Sequence, residues 1–309
     1  FRFKKSHPRG LIVLKAILVS ARPRQWTKNL LVYFALLFTV NQEWKFGDSI
    51  EVVHLFGRST AAFGLFCLAT SAIYILNDLV DAEKDRNHPR KRYRPAAMGT
   101  LTSVTGLVAS LFMVCSGLVL AWILDRDFGG LLLIYLVAML AYSGYLKRIV
   151  IVDIMVISGG FVLRAAAGAV VIDVTISPWL YICTSLGALF LGFAKRLSEL
   201  VVAGKEAQTQ RETLQRYSPR LLEQLIAIVA PATLVSYILY TFSANNLPDN
   251  HSMMLTIPFV MYGLFRYLYL VHDKNLGESP EDILLRDVPT IINLFLWLTT
   301  VCVVLVVFR

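Results

Sequence analysis

What most limits the folding of this chain is a recurring run of apolar residues, each about long enough to cross a bilayer. Roughly 20 consecutive, mostly apolar residues read as a transmembrane helix. Nine such stretches lie near Pro23–Val40, Thr60–Leu79, Thr102–Leu124, Gly129–Leu146, Asp153–Ile172, Pro178–Val201, Leu221–Phe242, Met253–His272 and Asp287–Phe308. Hydrophobic residues make up 56% of the 309, and the mean hydropathy is +0.61. That is too apolar for a soluble domain and fits an all-α polytopic membrane protein built as a single integral domain over residues 1–309. Residues 1–20 form a cytoplasmic or interfacial N-terminal segment. Within it Leu11–Val19 is an apolar run flanked by Arg, Lys and His, too short to span but suited to lying on the membrane surface. No cleavable signal is expected, because Arg22-Pro23-Arg24-Gln25-Trp26 is a poor small-residue cleavage site, and a chain opening at Phe1 is expected to lack its natural start.

Nine spans put the termini on opposite sides, and the basic residues say which side is which. The N-terminal segment and the loops after the second, fourth, sixth and eighth spans carry 24 of the 30 Lys and Arg. The other face holds Lys45, Arg58, Arg126 and Arg309, while Arg164 and Arg266 fall inside spans. Such an excess assigns the basic face to the cytoplasm and the protein to the plasma membrane. The net charge of +9 then describes a surface facing anionic lipid and phosphate. Nucleic acid is a poor partner, since no basic soluble domain or aromatic single-strand platform accompanies the charge. Cys67, Cys115, Cys183 and Cys302 stand singly in apolar runs and read as buried packing residues, and the five histidines show no ligand spacing.

The chemistry is concentrated after the second span, in Asn77-Asp78-Leu79-Val80-Asp81-Ala82-Glu83-Lys84-Asp85-Arg86, followed by Arg90, Lys91, Arg92 and Arg94. If the helix continues, Asp78, Asp81 and Asp85 fall within about 60° of one another on one face. Three such neighbours repel unless a cation holds them. Magnesium suits the arrangement, because it takes hard oxygen ligands, uses one or two protein carboxylates and completes its shell with water and substrate phosphate. The basic residues downstream would then grip a diphosphate. The bland alternative is a solvated loop whose acids and bases pair with one another.

Further polar elements fall on the same face. Lys28-Asn29 opens the first span, where Lys28 either contacts a ligand or snorkels toward headgroups beside Trp26. Tyr142-Ser143-Gly144-Tyr145-Leu146-Lys147-Arg148 ends the fourth span, and Asp153 opens the fifth, consistent with a site or with a helix-end cation and an N-terminal cap. Lys195-Arg196-Leu197-Ser198-Glu199 ends the sixth span, where Lys195 and Glu199 have the spacing of an intrahelical pair. Arg164 lies inside the apolar run Phe161–Val171. A charge there is costly enough to mark a functional position, facing the bundle interior, unless Asp153 or a backbone carbonyl pairs with it.

Asn77-Asp78-x-x-Asp81-x-x-x-Asp85, with Arg94-Pro95 and Gly99 downstream, resembles the first aspartate-rich motif of the UbiA-type intramembrane prenyltransferases. Tyr142 to Lys147 resembles the family's Tyr/Lys loop element, and Lys28-Asn29 its first-helix basic element. With the nine spans, the likeness covers nearly the whole chain. It implies a helical bundle whose central cavity opens toward lipid, capped by cytoplasmic loops that carry Mg²⁺ and a diphosphate. One departure decides the branch: where family members carry a second aspartate-rich motif, this chain has Lys195-Arg196-x-x-Glu199. With Met253–Pro258, Phe265–Tyr269 and Gly277–Asp282, that pattern is similar to the branch using phosphoribosyl pyrophosphate as donor and decaprenyl phosphate as acceptor, for cell-wall arabinan precursors.

On this resemblance Asp78 and Asp81 hold Mg²⁺, with Asn77 and Asp85 supporting the ion or donor. Lys28, Arg90, Lys91, Arg94, Tyr142 and Lys147 contact the diphosphate or acceptor phosphate. Lys195, Arg196 and Glu199 bind the phosphoribosyl part, and Arg164 joins the substrate-binding set. Phosphoribosyl pyrophosphate, polyprenyl phosphate and membrane lipid are the expected partners, and the sequence leaves a homo-oligomer open. Two other readings stand beside this one: an aromatic prenyltransferase of quinone biosynthesis, and a transporter of lipid phosphates. The latter lacks a repeated pair of interrupted spans.

Overall fold

The computed structural model describes residues 9–41, 44–45, 47–87, 91–175, 178–203, 213–244, 247–274, 276–277 and 280–308. Twelve α-helices run through these residues: α1 Arg9–Ser20, α2 Phe34–Phe38, α3 Ser49–Val80, α4 Ala82–Arg86, α5 Ser103–Leu124 and α6 Arg126–Gly144, then α7 Val152–Val171, α8 Pro178–Ala203, α9 Pro219–Ser243, α10 Ile257–His272, α11 Pro280–Arg286 and α12 Val288–Val307. Eight stretches are long and apolar enough to cross a membrane: α3, α5, α6, α7, α8 as far as Val201, α9, Ser252–His272 and α12. The chain is a multi-pass membrane protein.

Helix starts follow local chemistry. Asp48 caps α3 by accepting from Ile50 and Glu51 N–H at 3.2 and 3.1 Å, Thr102 caps α5, Asp125 caps α6 and Ser218 caps α9. Each cap is worth about 0.5–2 kcal/mol. The Asp48 cap starts the second expected span at Ser49, earlier than the apolar run alone suggests.

The first expected span, Pro23–Val40, is not an α-helix of membrane length. Arg22 takes a left-handed conformation (φ 52°, ψ 64°), and Pro23–Tyr33 follows as a 3-10 helix of 11 residues that passes into the five-residue α2. At about 2.0 Å per 3-10 residue and 1.5 Å per α residue this stretch reaches roughly 30 Å, the thickness of a bilayer's hydrocarbon layer. It wedges against α3 and α7. Gly168 makes that approach possible, since a methyl group built there would overlap the Val32 carbonyl oxygen and sit 2.7 Å from its carbon.

Small residues draw the central helices together. Buried Ser158, Gly160 and Ala165-Ala166-Ala167-Gly168-Ala169 line α7, and Ala62, Ala69, Ser71 and Ala72 line α3. Between membrane helices, where lipid is as apolar as Leu, such close backbone packing drives association. By contrast α5 and α12 bury only 17% of their most apolar windows and turn long aliphatic and aromatic side chains outward toward lipid. Cys115 on α5 is exposed, unlike the buried packing role expected of it, while Cys67 is buried.

Candidate active site

A cavity of about 1340 Å³ opens between the 3-10 segment, α3, α6, α7, α8, α9 and α12. It exceeds the roughly 300–1,000 Å³ of an ordinary small-molecule site. Of the expected site residues it gathers Lys28, Asn77, Tyr142, Arg164, Lys195, Arg196 and Glu199, and it adds Arg22. Elsewhere its wall is apolar and aromatic, including Phe38, Trp179, Tyr237, Tyr240 and Trp297. Tyr237 is fixed there by a hydrogen bond from Trp297 Nε1 at 2.9 Å and another with Thr256 at 2.7 Å.

The aspartates do not share one continuous helical face. α3 stops at Val80, Asp81 adopts a non-helical conformation (φ −88°, ψ 0°), and α4 starts afresh at Ala82. Asp78 and Asp85 are buried, and the cations that hold them come from the chain itself. Asp78 Oδ1 accepts from Arg22 Nη2 at 2.5 Å and lies 3.2 Å from Arg94 Nη1, and that same nitrogen donates to Asp85 Oδ2 at 2.7 Å. Arg94 therefore bridges the two acids. Removing an arginine would strand a buried carboxylate, at less than the ~3–5 kcal/mol of a fully buried pair because Arg22 and Arg94 are themselves partly exposed. Asp81 turns into a separate groove, where Lys147 Nζ lies 3.6 Å away.

Sequence reasoning gave Arg22 no role. It lies over the Tyr74 ring at 4.9 Å and reaches Asp78 from a left-handed backbone, a conformation that non-glycine residues hold mostly where the surroundings impose it. Among the described residues no group of three or more His, Cys, Asp or Glu could hold a metal by itself. The donor set nonetheless fits magnesium: Asn77 lines the charged end of the cavity, Asp78 stands next to it behind Arg22 without itself lining the cavity, and that ion uses only one or two protein carboxylates.

A second network joins the ends of α7 and α8. Of the two readings open for Asp153, the N-terminal cap does not hold, since Ile151 takes the cap position and Asp153 is fully buried. Its Oδ2 lies 3.2 Å from both Arg196 Nε and Nη2, and its Oδ1 accepts from the Tyr217 hydroxyl at 2.7 Å. Arg196 Nη1 also donates to Glu199 at 2.6 Å. Tyr217 in turn accepts from the N–H of Ile151, a β-branched residue at φ 70°, and Thr213 Oγ1 donates to the Lys147 carbonyl. Burial, then the hydrogen bond to Asp153, pushes the Tyr217 phenol well above its ordinary pKa, so the group stays protonated and keeps donating. Tyr217 thus ties the Lys147 loop to Arg196. Nothing in its local sequence marks it.

Arg164 is buried in the bundle interior, as expected, but Asp153 is not its partner. Its Nε donates to Asn29 Oδ1, its Nη1 to the Gly160 carbonyl and its Nη2 to the Tyr135 hydroxyl, each at 2.7 Å. The guanidinium also lies over the Tyr135 ring at 4.7 Å. Of the remaining expected residues, Lys91 sits in the 3-10 helix Lys91–Tyr93 and does not line the cavity, and Arg90 lies outside the described residues.

A large cavity with cationic side chains at one end and an apolar, aromatic wall, set among helices of membrane length, defines a multi-pass helical membrane protein with an internal pocket. The chain belongs to the UbiA prenyltransferase family, whose sequence profile matches residues 49–283. It is 32% identical over 303 residues to a decaprenyl-phosphate phosphoribosyltransferase of Mycolicibacterium smegmatis, covering 95% of this chain and 93% of that one. To the enzyme of the same name from Mycobacterium tuberculosis it is 33% identical over 289 residues, covering 94% and 92%. The fold is similar to that of a UbiA homolog from Archaeoglobus fulgidus bound to GPP and Mg²⁺, with a TM-score of 0.70, 17% identity, and coverage of 94% of this chain and 100% of the other.

Proposed function

We propose that this chain is a magnesium-dependent enzyme that transfers the 5-phosphoribosyl group from phosphoribosyl pyrophosphate to decaprenyl phosphate or a similar polyprenyl phosphate, releasing diphosphate, in the supply of cell-wall arabinan precursors. The whole of residues 1–309 would act as one integral domain of the plasma membrane, with its charged end in the cytoplasm, as the distribution of basic residues indicates. One observation carries the reading: a single cavity joins a mouth bearing Arg22, Lys28, Lys195 and Arg196 to an aromatic, apolar wall. A soluble anionic donor suits the first, and a lipid-linked acceptor needs both. Lys195 and Arg196 stand where prenyl transferases of the family carry more aspartates, which favours a donor with an additional phosphate over a prenyl diphosphate.

Asp78 and Asp81 would hold the magnesium ion, with Asn77 and Asp85 in support, Asp81 giving up its contact with Lys147, 3.6 Å away, to do so, and when bound the ion would neutralise charge developing on the departing diphosphate. Arg22 and Arg94 already contact Asp78 and would shift onto phosphate oxygens as the carboxylate takes up its ligand. Lys28, Arg90, Lys91, Tyr142 and Lys147 would contact the diphosphate or acceptor phosphate. Lys195, Arg196 and Glu199 would orient the ribose phosphate, with Arg196 held by Asp153. An acceptor oxygen forms its bond to the anomeric carbon while the bond from that carbon to diphosphate breaks, the electron pair leaving with diphosphate. The acceptor is anionic at neutral pH, so the step needs positioning rather than a dedicated base.

Purified protein, labelled phosphoribosyl pyrophosphate and decaprenyl phosphate test this directly. Label should move to lipid, stop with chelator, and fall by about 100-fold or more in Asp78→Asn. Chelator-insensitive labelling would remove the metal from the mechanism. Transfer from a prenyl diphosphate to an aromatic acceptor, with none from the sugar donor, would replace the reading with prenyl transfer.

A further inference from the structure

Arg164 is a cation deep in the bundle with only neutral partners. Asn29 Oδ1, the Gly160 carbonyl and the Tyr135 hydroxyl use three of its five N–H groups. Among the described residues no carboxylate lies within ion-pair distance of it. The nearby buried acids are engaged elsewhere, Asp153 by Arg196 and Asp78 by Arg22 and Arg94. An arginine at this depth is held by an acid or by backbone carbonyls, and the Gly160 carbonyl supplies the second kind of partner without neutralising the charge. Here the residue lines the cavity, 6% exposed and lying over the Tyr135 and Phe161 rings, with its charge not neutralised by an acid.

Its depth can be read along two helices. Asn29 Nδ2 contacts Thr70 on α3 at 3.4 Å, and Thr70 is eight residues, about 12 Å, below Asp78. Gly160, to which Arg164 reaches back, is likewise eight residues, about 12 Å, below Val152 at the start of α7. The guanidinium therefore lies roughly 12 Å deeper than Asp78. In an in-line displacement the incoming oxygen and the departing one sit on opposite sides of the carbon. With diphosphate at the aspartates, an attacking phosphate at Arg164 would lie on the opposite, deeper side of the ribose, and about 12 Å spans a diphosphate, an anomeric carbon and a second phosphate.

We propose that Arg164, held by Asn29 and Tyr135, is the seat of the acceptor lipid's phosphate monoester, with the prenyl chain continuing along the aromatic wall toward Tyr237 and Trp297. This rests on the phosphoribosyl-transfer reading above. Its charge comes from Arg164, and Asn29 is a positioning residue that aims the guanidinium.

Asn29→Asp separates this role from a structural one. It places a carboxylate against Arg164 Nε, which satisfies the buried cation but cancels its charge. Thermal melting is measured in detergent with decaprenyl phosphate, with decaprenol, and with phosphoribosyl pyrophosphate plus Mg²⁺, alongside KM for both substrates. Decaprenyl phosphate should stabilise the unmutated protein and decaprenol should not. Asn29→Asp should melt at least as high as the unmutated protein, weaken decaprenyl phosphate binding by about tenfold or more, and leave binding of the sugar donor within about twofold. Loss of donor binding with lipid phosphate retained would assign the seat to the donor's 5-phosphate and overturn the proposal. Retention of both would make Arg164 a mere pin for the 3-10 segment. If Asn29→Asp does not fold, Arg164→Gln, which keeps a donor toward Asn29 without the charge, is read by the same criteria. The melting arm needs no turnover, so an absence of ribose transfer would count against the proposed reaction while the seat is still judged by binding.

Discussion

Replacing Tyr217 with Phe removes one oxygen from the junction between the Lys147 loop and α8. That oxygen accepts from Ile151 N–H at 2.6 Å and donates to Asp153 Oδ1 at 2.7 Å. Asp153 keeps Arg196 but loses a donor in a fully buried position, and Ile151 loses the acceptor that secures its positive φ. The buried Asp153 oxygen left short of a donor costs about 1–3 kcal/mol and the part-buried Ile151 N–H about 1 more, so Tyr217→Phe should destabilise by roughly 2–4 kcal/mol. That corresponds to a fall in melting temperature of roughly 5 °C or more. A packing defect alone would stop there. The junction also fixes Lys147 and Arg196, so KM for phosphoribosyl pyrophosphate should rise by several-fold while KM for the lipid acceptor changes less. Tyr145→Phe is the control, because that ring is 65% exposed and outside the network. If Tyr217→Phe melts within about 1 °C of the unmutated protein with donor KM unchanged, the reasoning about this junction is wrong.

Gly168→Ala should be among the most damaging single methyl additions, because the new Cβ runs into the Val32 backbone rather than a movable side chain; a loss of about 3 kcal/mol or more is expected from thermal melting, with Gly130→Ala, which meets nothing within 4 Å, close to neutral. Asp287 caps α12 and takes Arg266 Nε and Nη2 at 3.1 and 2.8 Å, and hydrogen bonding from Arg266 holds its carboxyl at about 2, below the ordinary 3.8. A depressed carboxylate pKa contributes stability that is fully present above the ordinary value and is lost as pH falls through the folded one. Melting of the solubilised protein should therefore show an acid loss between pH about 4 and 2 that Asp287→Asn lacks, and identical acid profiles would refute it.

Much of the architecture is legible in the sequence because lipid imposes a simple rule: apolar runs of membrane length become helices. The same rule misleads at Pro23–Val40, where composition predicts an α-helix but the close approach of Gly168 to Val32 accompanies a 3-10 backbone. At the site, residue types were readable and partners were not. Asp78, Lys147 and Arg196 stand out by charge at helix ends. That Arg22 meets Asp78 across 56 positions, or that Tyr217 meets Asp153 across 64, depends on tertiary packing that no local pattern encodes. Even the helical spacing of the aspartates was overridden, because the break at Asp81 lets Arg94 bridge its two neighbours while Lys147 takes Asp81 itself.

The 3-10 segment has a consequence for how a long lipid is met. With three residues per turn, side chains three apart stack in straight columns instead of winding around the axis. Gln25, Lys28 and Leu31 form one such file along the cavity, met at its end by Phe34 of α2, so that it changes from amide and amine to aliphatic and then aromatic as it descends. Trp26, Asn29 and Val32 form another, seated in turn against Ser71, Arg164 and Gly168. An amphiphile sliding past would therefore encounter a graded rail on one fixed side, which sets how far its head can sink before its tail finds matching surroundings.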